Sequence, residues 1–278
     1  MKIAALCVAV GLVLPNIGCT GGEEDAPLTW AEFQAQAVVD SSGVYVVNGD
    51  EMAENLDQLY DVYQNYRATF DAEVAAEQGL GTSQQGLIVN RRSGGGDDKW
   101  SASAALNITY CVSQSSFGSR FNTVVNAMSG ASGAWEGAGR VNFVHSSGQD
   151  GNCTRNNGSV VFDVRQVSGQ PFLARSFFPS SGRSSREVLI DSSSFGNISP
   201  WTLTGILRHE LGHTIGFRHE HTRPEAGGVC FEDNNWRALT TYDSSSVMHY
   251  PQCNGTQGGD LVLTTRDRQG AAALYGSP

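Results

Sequence analysis

Beyond residue 14 the 278-residue chain has no long apolar run, which excludes a multi-span membrane protein. It also lacks positive charge: the formal net charge is −10, which argues against duplex nucleic acid as a partner. Lysine is almost missing, with only Lys2 and Lys99. Proline is scarce, at 8, and there is no internal repeat. The four cysteines after residue 19 stand far apart, which disfavours a thiolate metal site. An ordinary apolar share, 40% hydrophobic, excludes a disordered or collagen-like chain, and the length allows one or two domains with real cores.

What is present begins with an export signal. Lys2 precedes the apolar stretch Ile3–Leu14, and Gly18-Cys19 and the polar run Thr20–Pro27 follow. Gly-Cys after such a stretch resembles the bacterial lipoprotein processing site, although Asn16 stands where Leu is usual. Cys19 is therefore a candidate for lipidation and membrane attachment, with plain secretion as the alternative. Export makes Cys111, Cys153, Cys230 and Cys253 disulfide candidates; three pairings are open, and pairing of sequence neighbours is preferred.

Charge divides the remainder. Residues 20–98 carry 15 acids against three arginines, whereas residues 99–278 carry 13 acids against 14 bases. This suggests a signal over 1–19, a tether over 20–27, an acidic helical segment with a Gly-rich linker over 28–98, and a main domain over 99–278. A solvated acidic helix beside an ordinary domain explains the charge equally well. Asn48-Gly49 reads as a turn and Asp50 as a possible cap for an amphipathic helix over 51–77, with the linker over 79–98. Strands are expected over 106–112, 141–144, 160–164, 174–178 and 188–190. Helices are expected over 119–136, from Pro200 with Ser199 as cap to about Thr214, and over 265–275. The 174–178 strand suits either a sheet edge that pairs with an extended peptide or an interior position.

The chemistry concentrates in His209-Glu210-Leu211-Gly212-His213-Thr214-Ile215-Gly216-Phe217-Arg218-His219. His209 and His213, four apart, project from one helical face toward one ion. Glu210 flanks that face. Gly216 lets the chain leave the helix sharply, so that His219 can return as a third ligand. Three imidazoles leave a fourth position open, the mark of catalytic zinc. From this composition the pattern arises by accident on the order of once in 10⁵ chains, so chance is a poor explanation.

The stretch resembles the metzincin pattern, and its continuation Glu220-His221-Thr222-Arg223-Pro224 resembles the astacin branch. Residues 242–250, with Val247-Met248-His249-Tyr250, look like that branch's Met-turn, and the region 100–275 resembles the bacterial dual-action HEIGH metallopeptidases, with Leu211 where their name has Ile. The resemblance implies an α+β zincin: a twisted mixed sheet, an active-site helix on a long backing helix, and a small C-terminal subdomain ending in a helix. It implies one zinc ion on His209, His213 and His219, Glu210 as general base, Met248 as an apolar floor, and Tyr250 as a donor to the oxyanion. Tyr250 and Met248 also suit plain packing. Glu220 resembles the astacin residue that engages a processed N-terminus, or is a supporting or surface carboxylate. His221 and His249 suit supporting roles, and His145 a strand end.

The expected function is an exported zinc metalloendopeptidase, a monomer acting on protein or peptide substrates. A zinc hydrolase of cell-wall amides and a non-catalytic zinc-binding lipoprotein are the rivals. Astacin prosegments place an aspartate from a Gly-Asp motif on the zinc, and Gly49-Asp50 resembles it, which implies a latent precursor freed by cutting near Arg91-Arg92 or Lys99.

Overall fold

The computed structural model describes residues 27–77, 86–92, 94–228, 230 and 232–278, with the backbone alone over 69–77. The export signal and Cys19 lie outside these residues. In chain order the elements are α1 (Trp30–Gln36), β1 (Val38–Val39), β2 (Tyr45–Val47), β3 (Glu51–Ala53), α2 (Leu56–Glu77) and β4 (Gly86–Asn90). There follow α3 (Ala102–Ala105), β5 (Ile108–Val112), α4 (Gln114–Phe117), α5 (Phe121–Glu136), β6 (Phe143–His145) and β7 (Phe162–Val167). The last are β8 (Ala174–Arg175), β9 (Glu187–Asp191), α6 (Leu203–Thr214), β10 (Trp236–Thr240) and α7 (Thr265–Tyr275).

The main sheet has the order β6-β5-β7-β9-β8. Its first four strands are parallel, and β8 runs antiparallel to β9 at the edge. The 174–178 segment is thus an edge strand, shorter than expected, and among the described residues no strand pairs with its outer side. Two faces of this mixed α+β layout close over one core. α5 turns Val124, Met128, Ala131 and Trp135 inward, and burying a side chain the size of Val124 or Met128 contributes roughly 1.5–3 kcal/mol. Trp135 stacks on Phe217 at 5.1 Å, and its Nε1 donates to Arg208 O at 2.8 Å, which binds α6 to its backing helix.

α6 does not start at Pro200. Thr202 is its cap, accepting from Gly205 N at 3.0 Å, while Asp260 accepts from both Thr202 N and Oγ1. A carboxylate brought in from 58 residues away fixes the start, a signal absent from the local sequence around Ser199.

The acidic segment departs from expectation in two places. Residues 45–47 and 51–53 pair as an antiparallel hairpin whose turn, as expected, holds Asn48 and Gly49 at positive φ, 55° and 95°. Asp50 therefore does not cap a helix; α2 begins later, with Asn55 Oδ1 accepting from Gln58 N at 2.9 Å. Further on, residues 86–90 are not linker: β4 pairs antiparallel with β10, and Leu87, Ile88 and Val89 are fully buried.

Both preferred disulfides are present, Cys111–Cys153 and Cys230–Cys253. By loop-closure entropy they contribute roughly 3–4 kcal/mol each.

Candidate metal centre and active site

α6 carries His209, Glu210 and His213, all buried, on the face opposed to the Met-turn. The helix stops because Gly216 adopts φ +97°, with Phe217 N returning to Gly212 O at 3.0 Å. A side chain at 216 would collide with Asp98 O, so glycine is required there twice over. The chain leaving Gly216 is laid along β4: Asn90 N donates to Gly216 O at 2.8 Å and Arg218 N to Ile88 O at 3.0 Å. This backbone pairing carries His219 back under the helix.

Each imidazole has its Nδ1 engaged. His209 donates to Val247 O at 2.7 Å, His213 to Phe217 O at 2.8 Å, and His219 to Glu232 Oε1 at 2.6 Å. The three Nε2 atoms consequently turn their lone pairs inward, and those of His209 and His219 lie 3.2 Å apart. Lone pairs facing one another in a buried site repel unless a cation lies between them. Asp50 completes the set, its carboxylate 3.1 Å from His209 Nε2, 3.0 Å from His219 Nε2 and 3.6 Å from His213 Nε2. All four ligand atoms fall within 4.8 Å of one another, and His213 Nε2 has no other partner. Three neutral imidazoles and one carboxylate fit zinc in number and kind.

Glu210 lies beside this cluster with one buried carboxylate oxygen unpartnered. Burial, then the charge of Asp50, push its pKa up to about 8. Tyr250 stacks on His209 at 5.5 Å between ring centres and packs beside the Gly49-Asp50 turn, so closely that a Cβ on Gly49 would sit 2.8 Å from its hydroxyl. Met248 is fully buried beneath the helix, and a Cβ on Gly212 would strike its sulfur. Asp267 of α7 pins this turn, accepting from Ser246 Oγ at 2.5 Å and Val247 N at 3.0 Å.

Glu220 is buried, which removes the surface alternative; its N–H donates to Met248 O at 2.8 Å, and Oε1 accepts from Asp243 N at 3.0 Å. His221 and His249 support the turn. His221 Nδ1 accepts from Tyr250 N at 3.1 Å, and burial pushes its pKa down to about 4. His249 Nε2 contacts Tyr242 Oη at 2.8 Å. His145 ends β6 and rests on Asp150. Arg91 and Arg92 are exposed, while Lys99 Nζ donates to Leu274 O at 2.9 Å.

Sequence reasoning missed two groups. Glu232 and Arg218 meet under His219, with Glu51 and Asp233 as further partners of Arg218. Nothing local marks them, because their partners lie 10 to 167 residues away. Next to Glu210 an apolar cavity of about 220 Å³ opens, lined by Phe172, Leu173, Trp201, Ile206 and Leu261, with no cationic side chain.

Fold and site together define a buried, His-rich cluster whose donors suit a zinc ion. Residues 101–223 match the family model described as dual-action HEIGH metallo-peptidase. The chain is 35% identical over 83 residues to a bone morphogenetic protein 1 homolog of Strongylocentrotus purpuratus, covering 23% of this chain and 13% of that protein. It is 35% identical over 92 residues to Tolloid-like protein 2 of Mus musculus, covering 26% and 9%. The matches thus span about a tenth of those relatives' own lengths. Among solved structures, myroilysin aligns at a TM-score of 0.48 and 17% identity, over 69% of this chain and 99% of that one. High choriolytic enzyme 1, a hatching enzyme zinc-protease from Oryzias latipes, aligns at 0.42 and 22%, over 65% and 96%.

Proposed function

We propose that the chain is the latent precursor of an exported zinc endopeptidase. The observation that carries this reading is the convergence of three Nε2 lone pairs beside a buried, half-unpartnered Glu210. His209, His213 and His219 would hold the zinc, which supplies a Lewis acid able to acidify water and polarise a carbonyl. Glu210 takes a proton from the attacking water and returns it to the departing amine. The Tyr250 phenol donates to the carbonyl oxygen as it gains charge. Met248 and Gly212 keep the floor apolar and close-fitting. The outer side of β8 can receive an extended peptide by strand addition, and the apolar cavity suits an apolar side chain of that peptide. Such a lining favours protein substrates over cell-wall cross-links, which are small and polar.

Latency rests on Asp50, whose carboxylate takes the position a water would need. β4 supports His219 through its backbone, so a cut at Arg91-Arg92 or Lys99 would separate the chain on the wrong side of that strand. A cut between α2 and β4, within residues 78–85, would free the hairpin and leave β4 in place. Lipid attachment at Cys19 would hold the precursor at a membrane until that cut separates the catalytic part from it.

The experiment compares full-length protein with a form beginning at Gly86, each given casein or purified peptidoglycan, before and after chelation. The expected result is casein cleavage, greater in the shorter form, lost on chelation and restored by zinc. Cleavage of peptidoglycan alone would contradict the reading.

A further inference from the structure

We infer that Glu232 is a positioning residue of the metal centre, one carboxylate that orients both the third histidine and the segment carrying Tyr250. The inference rests on the three histidines being zinc ligands. His209 and His213 are carried by α6 and aimed by main-chain carbonyls. His219 stands beyond Gly216, outside the helix, and is the one ligand of the three whose Nδ1 donates to a carboxylate, at 2.6 Å. A charge-assisted hydrogen bond of that length supplies the orientation that helical backbone gives the other two, and it raises the basicity of the far nitrogen.

The same Oε1 accepts from His221 Nε2 at 3.1 Å. His221 carries its proton there because Nδ1 accepts the Tyr250 N–H at 3.1 Å. One oxygen thereby ties a metal ligand to the backbone of the phenol donor, along a path of three hydrogen bonds. The arrangement also excludes His219, His221 and Glu232 as a second metal site, since His221 has no free lone pair.

Glu232 is itself held. Its Oε2 accepts from Arg218 Nη2 at 3.0 Å, and its N–H donates to Thr222 Oγ1 at 3.1 Å. Arg218 stays in place through Asp233 and Glu51, and the Cys230–Cys253 bridge anchors the loop two residues earlier. The carboxylate is only 6% exposed, so water does not substitute for it.

The test measures zinc affinity of the full-length chain by competition with a chromophoric chelator, for wild type, Glu232→Gln and Asp163→Asn. Asp163 is a fully buried carboxylate of the sheet, paired with Arg183 and Arg165, and serves as the structural control. Glu232→Gln should bind zinc roughly 10–100-fold more weakly, with the visible bands of the cobalt-substituted protein shifted. Asp163→Asn should lose stability while its affinity stays at the wild-type value. A folded Glu232→Gln protein with affinity within about twofold of wild type would overturn the inference, whereas a wild type that binds no zinc would overturn the ligand assignment instead. Should the glutamine variant not fold, nitrogen-labelled histidine in zinc-loaded wild type decides. A downfield, slowly exchanging Nδ1–H on His219 supports the inference, and a rapidly exchanging one defeats it.

Discussion

Two regions converge on the same three histidines and are held by different forces. α6, β4 and the Met-turn present the imidazoles through backbone hydrogen bonds and a floor of Met248, Trp135 and Phe217, all fully buried. The β2–β3 hairpin reaches the same point largely with charge. Asp50 meets the histidines, Glu51 meets Arg218, and Asp40 meets Arg175 at 2.6 Å. Its apolar anchors are few: Val46 against Phe172 and Leu189, with Val44 and Met52 reaching the main core. Buried ion pairs offset their desolvation only in part, so cutting the chain would let water replace much of what holds the hairpin. Nothing comparable can replace the apolar floor. The first region is a scaffold and the second a cover.

This contrast can be broken at either side. The largest effect belongs to Glu210→Gln in the form beginning at Gly86, which should retain zinc and lose about 10²–10⁴-fold in peptide hydrolysis. Turnover near wild type, read on a casein digest, would remove Glu210 from the chemistry. Tyr250→Phe comes next, with a loss of about 10²–10³-fold that falls on kcat. An effect confined to KM would make the phenol a ground-state contact. Gly212→Ala tests the scaffold without touching a ligand. The methyl group would press on Met248 and Trp135, and thermal denaturation should show about 1–3 kcal/mol of lost stability. Glu51→Gln tests the cover and should cost least, about 1 kcal/mol, because Arg218 keeps Glu232 and Asp233. A larger loss there would mean that the hairpin is part of the scaffold after all.

The two regions were also unequally legible in the sequence. The scaffold's histidines follow helical spacing and a glycine exit, both local, and the strands at 108–112, 162–167 and 187–191 follow apolar runs. β4 was missed although Leu87-Ile88-Val89 is such a run, because glycine, serine and glutamine surround it and its partner strand lies some 150 residues on. The start of α6 escaped for a related reason, since Asp260 sets it from a distant loop. In the cover, the turn at Asn48-Gly49 was readable from residue type alone. That Asp50 faces histidines rather than capping a helix depends on how the hairpin docks, which no local pattern records. Glu232 belongs to the same class: an acid among acids until the fold brings His219 and His221 to it.

The central claim is that the Asp50 carboxylate closes the fourth position of the three-histidine centre. The direct measurement is peptide hydrolysis by the intact, uncut Asp50→Ala chain loaded with zinc, beside intact wild type. Losing a charge-assisted buried contact of about 1.5–3 kcal/mol should raise activity by roughly 10–100-fold, with α2 and the hairpin still attached. If intact wild type is already as active as the form beginning at Gly86, or if Asp50→Ala remains as silent as the wild type, the carboxylate does not close the site.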